Sequence, residues 1–261
     1  MVLLVYPFIF FFYALALVLK LLRLKNAGNF SCIAALITNA AALVLITISS
    51  GHLPLFELFE SFLLTTFILG ILLLFSIVHG KGFIRKNPYA GPDIRPDIRP
   101  DAGTWVLLEI LFLLSVTLFF PKTASPSVYD HDNIYILFFF FFRIISLGTI
   151  LFSSAQFIQF RREPQKGKYK NNLLQQGRNF LLLGTLLFLI SEYAGIIWCQ
   201  NGWGDFWHWN AGFFQSALIV FYLMIFFHIP PDSNKKSEGI RSVIGGMSGL
   251  FMAVCIILRH V

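Results

Sequence analysis

Apolar residues in this chain gather into eight continuous blocks of about 17 to 25 residues, the length that carries a helix across a bilayer's hydrocarbon core. The blocks fall near 2–22, 30–50, 61–79, 105–120, 134–158, 178–198, 211–229 and 242–259. A backbone in lipid has no water to bond with, so it crosses only as a helix or as part of a closed barrel. Barrel strands alternate apolar with polar residues; these blocks do not, so helices are predicted. The chain is 57% hydrophobic and 13% charged, about half the charge of an ordinary soluble domain. The expected fold is therefore all-α and polytopic, one membrane unit over residues 1–261. The 31 phenylalanines suit lipid-facing helices and need no functional explanation.

The connections predict an orientation. Lys20, Arg23 and Lys25 lie in or beside the first, and Lys81, Arg85, Lys86, Arg95 and Arg99 in the third. Arg161, Arg162, Lys166, Lys168, Lys170 and Arg178 lie in or approach the fifth, and Lys235, Lys236 and Arg241 the seventh. The opposite side receives only Lys122 and Arg259, and Arg143 falls within a span. Positive loops stay in the cytoplasm, which puts both termini outside. The net charge of +7 is then a signal of topology, with anionic membrane lipid as its partner and no nucleic acid implied. No basic residue precedes the first block and no small-residue cleavage site is clear, so it is taken as a spanning helix, not a signal peptide. The third connection, 80–104, contains the tandem repeat PDIRPDIRPD. Its prolines remove donors and disfavour helix before them, giving an extended cytoplasmic linker.

The other side carries the chemistry. Trp198, Trp203, Trp207 and Trp209 sit within twelve residues, around a connecting loop expected at 199–210. Interfacial belts gather tryptophan too, but they scatter it over both faces, and the only other tryptophan is Trp105. Gly202 and Gly204 allow close backbone approach. A dense flat aromatic surface of this kind suits a large planar apolar ligand such as a porphyrin.

Histidines point the same way, since haem iron often takes histidine in an apolar pocket. His52, His131, His208 and His260 map to the outer side, with His228 near the cytoplasmic end of the seventh span and His79 at that end of the third. Arg143 and Glu192 are intramembrane charges; either they pair, or each faces a wet cavity or a haem propionate, and spacing alone does not decide. Cys32, Cys199 and Cys255 are far apart, in neither disulfide nor zinc spacing.

These residues resemble the CcsA cytochrome c biogenesis proteins, which group with CcmC and CcmF as haem-handling membrane proteins. The family pattern is a glycine-started helix, a tryptophan, then WGxxWxWD. Here Gly184 precedes Trp198 by fourteen residues, with Gly195 between them, and Trp203, Trp207 and Trp209 follow at intervals of five, four and two. The second connection, GHLPLFELFES, resembles the family's GHFPLSNLYES. With the span count, the resemblance covers nearly the whole chain.

The resemblance implies that Trp203, Gly204, Trp207, Trp209 and Asn210 bind haem b transiently on the outer face of a bacterial cytoplasmic (inner) membrane. It implies two outer histidines as axial ligands of the iron, His131 before the loop and His260 after it. A strict helix match puts Phe139 at the first of those positions. His228 matches the intramembrane histidine that helps bring haem across. A CcsB-like membrane partner and an apocytochrome c substrate are implied, the chain being a subunit of a cytochrome c synthase that forms thioethers; catalytic residues are not assigned. Two departures stand out: Asn210 replaces the motif's aspartate, and Ala211-Gly212-Phe213 replaces a PKE-like stretch. They support an alternative, a HemX-like regulatory or scaffold protein without synthase activity, whose short relatives, including YpjD, this chain matches better in length. A small transporter is a weaker reading, since no inverted repeat and no pair of broken spans is seen.

Overall fold

A computed structural model describes residues 2–83, 102–120, 133–162, 168–204, 211–230 and 235–258. The described residues contain eight helices and no strand. They are α1 (Val2–Leu21), α2 (Lys25–Ser50), α3 (Leu58–Phe83), α4 (Ala102–Thr117), α5 (Ile134–Arg162), α6 (Lys168–Trp203), α7 (Ala211–His228) and α8 (Lys235–Leu258). Each apolar block became one helix. Five of them (α2, α3, α5, α6 and α8) are long and apolar enough to cross a membrane, and α1, α4 and α7 are shorter apolar helices. Many large apolar side chains face outward, Phe30, Ile37, Ile48, Phe75 and Phe221 among them. Contiguous apolar exposure on this scale destabilises a protein in water and suits one in lipid. The chain is a multi-pass membrane protein.

Several helices outrun their apolar blocks, while α4 stops at Thr117, short of the expected 120. α6 starts at Lys168 rather than near 178, and α5 continues to Arg162. Residues such as Lys, Gln and Arg are good helix formers, so polarity ends a hydrophobic block without ending the helix. At the other end α6 runs through Trp203, so 199–203 of the expected loop is helical. Gly204 then takes φ 71°, a left-handed turn that glycine adopts at no steric cost. Gly51 ends α2 in the same way, its N–H donating to Thr47 O.

α5 is the centre of the bundle, packing on α3, α4, α6 and α8. Its seam with α6 is the most extensive, and small residues explain why. A Cβ on Gly184 would lie 2.5 Å from Ile150 Cγ1, and one on Gly195 2.8 Å from Phe139 Cδ2. Close backbones then let serines bridge: Ser146 donates to Gly184 O at 2.7 Å, Ser153 to Gly177 O at 2.6 Å, and Ser191 to Phe139 O at 2.6 Å. Small residues and interhelical hydrogen bonds are how helices associate where lipid removes the hydrophobic drive. On the far side, Asn39 of α2 donates to Thr66 Oγ1 of α3 at 3.0 Å, and Tyr6 of α1 bonds Leu114 O and Thr117 of α4. α7 is different. It packs on α8 and touches α6 only sparsely.

Candidate functional site

One end of the bundle brings together the start of α5, the end of α6, the start of α7, the end of α8 and the loop of residues 51–57. Asn133 starts α5 there; its Oδ1 accepts the Tyr135 N–H at 3.0 Å, a side-chain cap on a free helix donor. From α6, Trp198 stacks at a tilt on Phe139, ring centroids 6.3 Å apart. Phe139 meets Phe140 at 5.1 Å, Phe140 meets Phe56 edge-on at 5.3 Å, and Phe56 meets His52 edge-on at 5.6 Å. A continuous row of rings therefore runs from the stem of the tryptophan segment to the 51–57 loop. It sits in a separate apolar cluster that includes Leu55, Ile136, Ile144 and Ala194. The two stretches of sequence that carry the resemblance, over a hundred residues apart, are neighbours through α5.

Behind this row lies a polar bridge. Arg143 of α5 is 6% exposed. Its Nη1 lies 3.5 Å from Glu192 Oε1 of α6, and its Nη2 donates to Ser216 Oγ of α7 at 3.2 Å. Ser216 in turn donates to Glu192 Oε1 at 3.0 Å. Phe139 and Phe188 flank the guanidinium, with ring centroids 5.1 and 5.5 Å from its carbon. Of the alternatives left open for Arg143 and Glu192, the structure shows pairing. An ion pair in a membrane interior is retained only with good hydrogen bonding, and Ser216 supplies it. Because α6 and α7 flank residues 204–210, the bridge joins the two helices from which the tryptophan segment hangs.

His52 holds its Nδ1 2.9 Å from Leu53 O and 4.0 Å from the buried Glu60 carboxylate. His228 is the last residue of α7; it is exposed, with Nδ1 2.8 Å from Met224 O, and no hydrogen bond or ion pair joins it to another candidate among the described residues. Phe139, at the position of the first ligand in a strict helix match, is a packed ring against Gly195 and Trp198. A phenyl ring offers iron no donor atom. Trp203 is described in its backbone alone, and Gly204 is exposed. His131, Trp207, His208, Trp209, Asn210 and His260 lie outside the described residues, as does most of the 80–104 linker. Among the described residues no cluster of three metal-ligating side chains occurs.

Two residues of interest escaped the sequence reading. Ser216 is one of many serines and has no signal until its helix is placed. Glu109 stands midway along α4, its Oε2 buried without a hydrogen-bond partner among the described residues. A carboxyl inside a predicted span is a visible signal, and here hydropathy averaged over it.

Comparison with known proteins finds CcsA proteins similar over most of the chain. Cytochrome c biogenesis protein CcsA of Populus alba is 23% identical over 252 aligned residues, covering 80% of this chain and 74% of that protein. The CcsA of Nicotiana tomentosiformis is 21% identical over 277, covering 92% and 84%. That of Manihot esculenta is 22% identical over 243, covering 77% and 72%. The chain is similar to CcsA proteins over most of its length. No family model matches it, and no solved structure does. An alignment over 77–92% of the chain is far longer than the tryptophan motif.

Proposed function

We propose that this CcsA-type chain acts in cytochrome c biogenesis by holding haem for attachment to an apocytochrome c. The observation that carries the reading is similarity to CcsA proteins over most of the chain, joined to the WGxxWxW spacing at 203–209. The aromatic row ending at Trp198 supports it, because a planar apolar ligand gains from stacked and edge-on rings. In this reading Trp203, Gly204, Trp207, Trp209 and Asn210 form the haem surface on the outer face of the bacterial cytoplasmic membrane. Both termini are outside, His131 and His260 are the axial ligands, and His228 serves haem entry from the cytoplasmic side. The whole chain works as one unit with a CcsB-like membrane partner. Haem supplies the reactive vinyl groups; the chain's residues bind, orient and hold it beside cysteine thiols. The regulatory alternative gains nothing from the relatives, which are named for cytochrome c biogenesis.

Purified in detergent, the chain is expected to show a haem Soret band, and His131→Ala and His260→Ala each to weaken or shift it. A chain that takes up no haem under conditions where a CcsA relative does so refutes the reading. An unchanged band in both variants removes the two ligands from it. Deleting the gene is expected to abolish c-type cytochromes.

A further inference from the structure

The end of the bundle where α6 and α8 begin, opposite the tryptophan segment, holds a buried cation. Arg241 of α8 is 8% exposed, and its Nε is buried without a hydrogen-bond partner among the described residues. Its guanidinium carbon stands 5.9 Å from the centre of the Phe226 ring of α7. Glu238 lies one turn earlier on the same helix, yet the ion pairs among the described residues are His52–Glu60 and Arg143–Glu192, and neither includes it. The charge that acts on Arg241 most strongly is a second cation, Arg178 of α6, ahead of Glu238. Arg178 is exposed.

One ring brings the two helices together here. A Cβ on Gly177 would lie 3.2 Å from the ring of Phe157, and one on Gly245 2.5 Å from it. Arg178 directly follows the first glycine, and Arg241 stands one turn before the second. Like charges held near one another disfavour each other, and a buried donor left unpaired costs its lost hydration. An anion between the two arginines removes both penalties. Guanidinium forks suit phosphate best, because its oxygens accept several N–H bonds at once.

The neighbouring surface indicates which phosphate. Leu182, Leu186 and Ile190 follow Arg178 at four-residue intervals, and each is about half exposed. Residues four apart share a helix face, so Arg178 stands at the end of an uncovered apolar stripe. On α8, Val243 and Met247 are exposed just beyond Arg241. Charge at the end of apolar tracks matches a molecule with a phosphate head and acyl tails, and basic pockets between spanning helices bind such heads. We propose that the feet of α6 and α8 form a site for the phosphate of an anionic phospholipid, gripped by Arg241 from within and by Arg178 from the rim. The site is independent of the haem reading, since it shares no residue with the haem surface.

Phosphatidylglycerol, phosphatidylcholine and inorganic phosphate, each titrated into the full chain purified in detergent, test this by thermal unfolding. The native midpoint is expected to rise and saturate with phosphatidylglycerol. Half-saturation with phosphatidylcholine is expected to need about tenfold more lipid, the worth of one charge-assisted hydrogen bond, and inorganic phosphate at the same concentrations is expected to have no effect. R241Q and R178Q are each expected to need about tenfold more phosphatidylglycerol than the native chain. Because Arg178 is exposed, R178Q carries the test should R241Q fail to fold. R23Q removes a cation from the turn between α1 and α2, at the same end of the bundle, and is expected to leave the titration unchanged. Unchanged half-saturation in the folded arginine variants overturns the site, as does a native chain that takes both lipids equally. An equal loss in R23Q overturns it in favour of diffuse charge. Inorganic phosphate that raises the midpoint as far as phosphatidylglycerol does overturns the lipid as the occupant.

Discussion

The α5–α6 seam and the α6–α7 seam both bear on the tryptophan segment, and they are built differently. The first is closed by glycines and three serine bridges, with backbones near contact along most of its length. The second has few contacts among the described residues, and a polar bridge through Arg143, Glu192 and Ser216. The helix that precedes residues 204–210 is therefore firmly packed, and the helix that follows them loosely tethered. Rigid elements give a site its precision, and weakly packed elements give it room to load and release. A surface that takes up a large planar ligand and then gives it away, as proposed above, would need both.

Breaking this bridge tests the contrast most strongly. Glu192→Gln leaves a buried guanidinium without its counter-charge, a change that costs about 3 kcal/mol or somewhat less given the partial exposure of Glu192. Thermal unfolding in detergent is expected to fall accordingly, and hydrogen exchange to rise at the start of α7 while the α5–α6 seam stays protected. Equal loosening of both seams breaks the comparison. Next comes the seam itself: Gly184→Val forces atoms onto Ile150, where even a Cβ stands at 2.5 Å, and overpacking of this kind costs about 1–3 kcal/mol. Ser146→Ala removes one of three serine bridges, and interhelical hydrogen bonds in membranes average about 0.6 kcal/mol. The smallest effect is expected at Phe221, exposed on α7; Phe221→Leu should stay within about 0.5 kcal/mol of the native chain. A large loss there means α7 is packed more firmly than the structure shows.

Much of this was legible beforehand, for reasons the residues make plain. Eight helices followed from block lengths, because lipid allows so few alternatives. That Gly184 and Gly195 matter was visible as part of a motif; that they seat Ile150 and Phe139 was not, since contact partners depend on how α5 and α6 register. The Arg143–Glu192 pairing was one of several readings, and only the placement of α7, with Ser216, decided it. Phe140 and Phe56 were hidden among 31 phenylalanines, and composition cannot say which of those rings meet. The helical stretch before residue 178 was missed because hydropathy ends where the lipid does, while backbone hydrogen bonding continues.

That stretch has a mechanical consequence. With 36 residues, α6 is about 54 Å long at ~1.5 Å per residue, against a hydrocarbon core of about 30 Å. It is an unbroken strut whose basic foot and aromatic head belong to opposite sides of the bilayer, gripped at mid-height by α5. A push or twist applied at Lys168 is not absorbed by a hinge on the way. It arrives at Trp203 as a change in tilt, so whatever docks against the foot has a direct purchase on the place where the indoles begin.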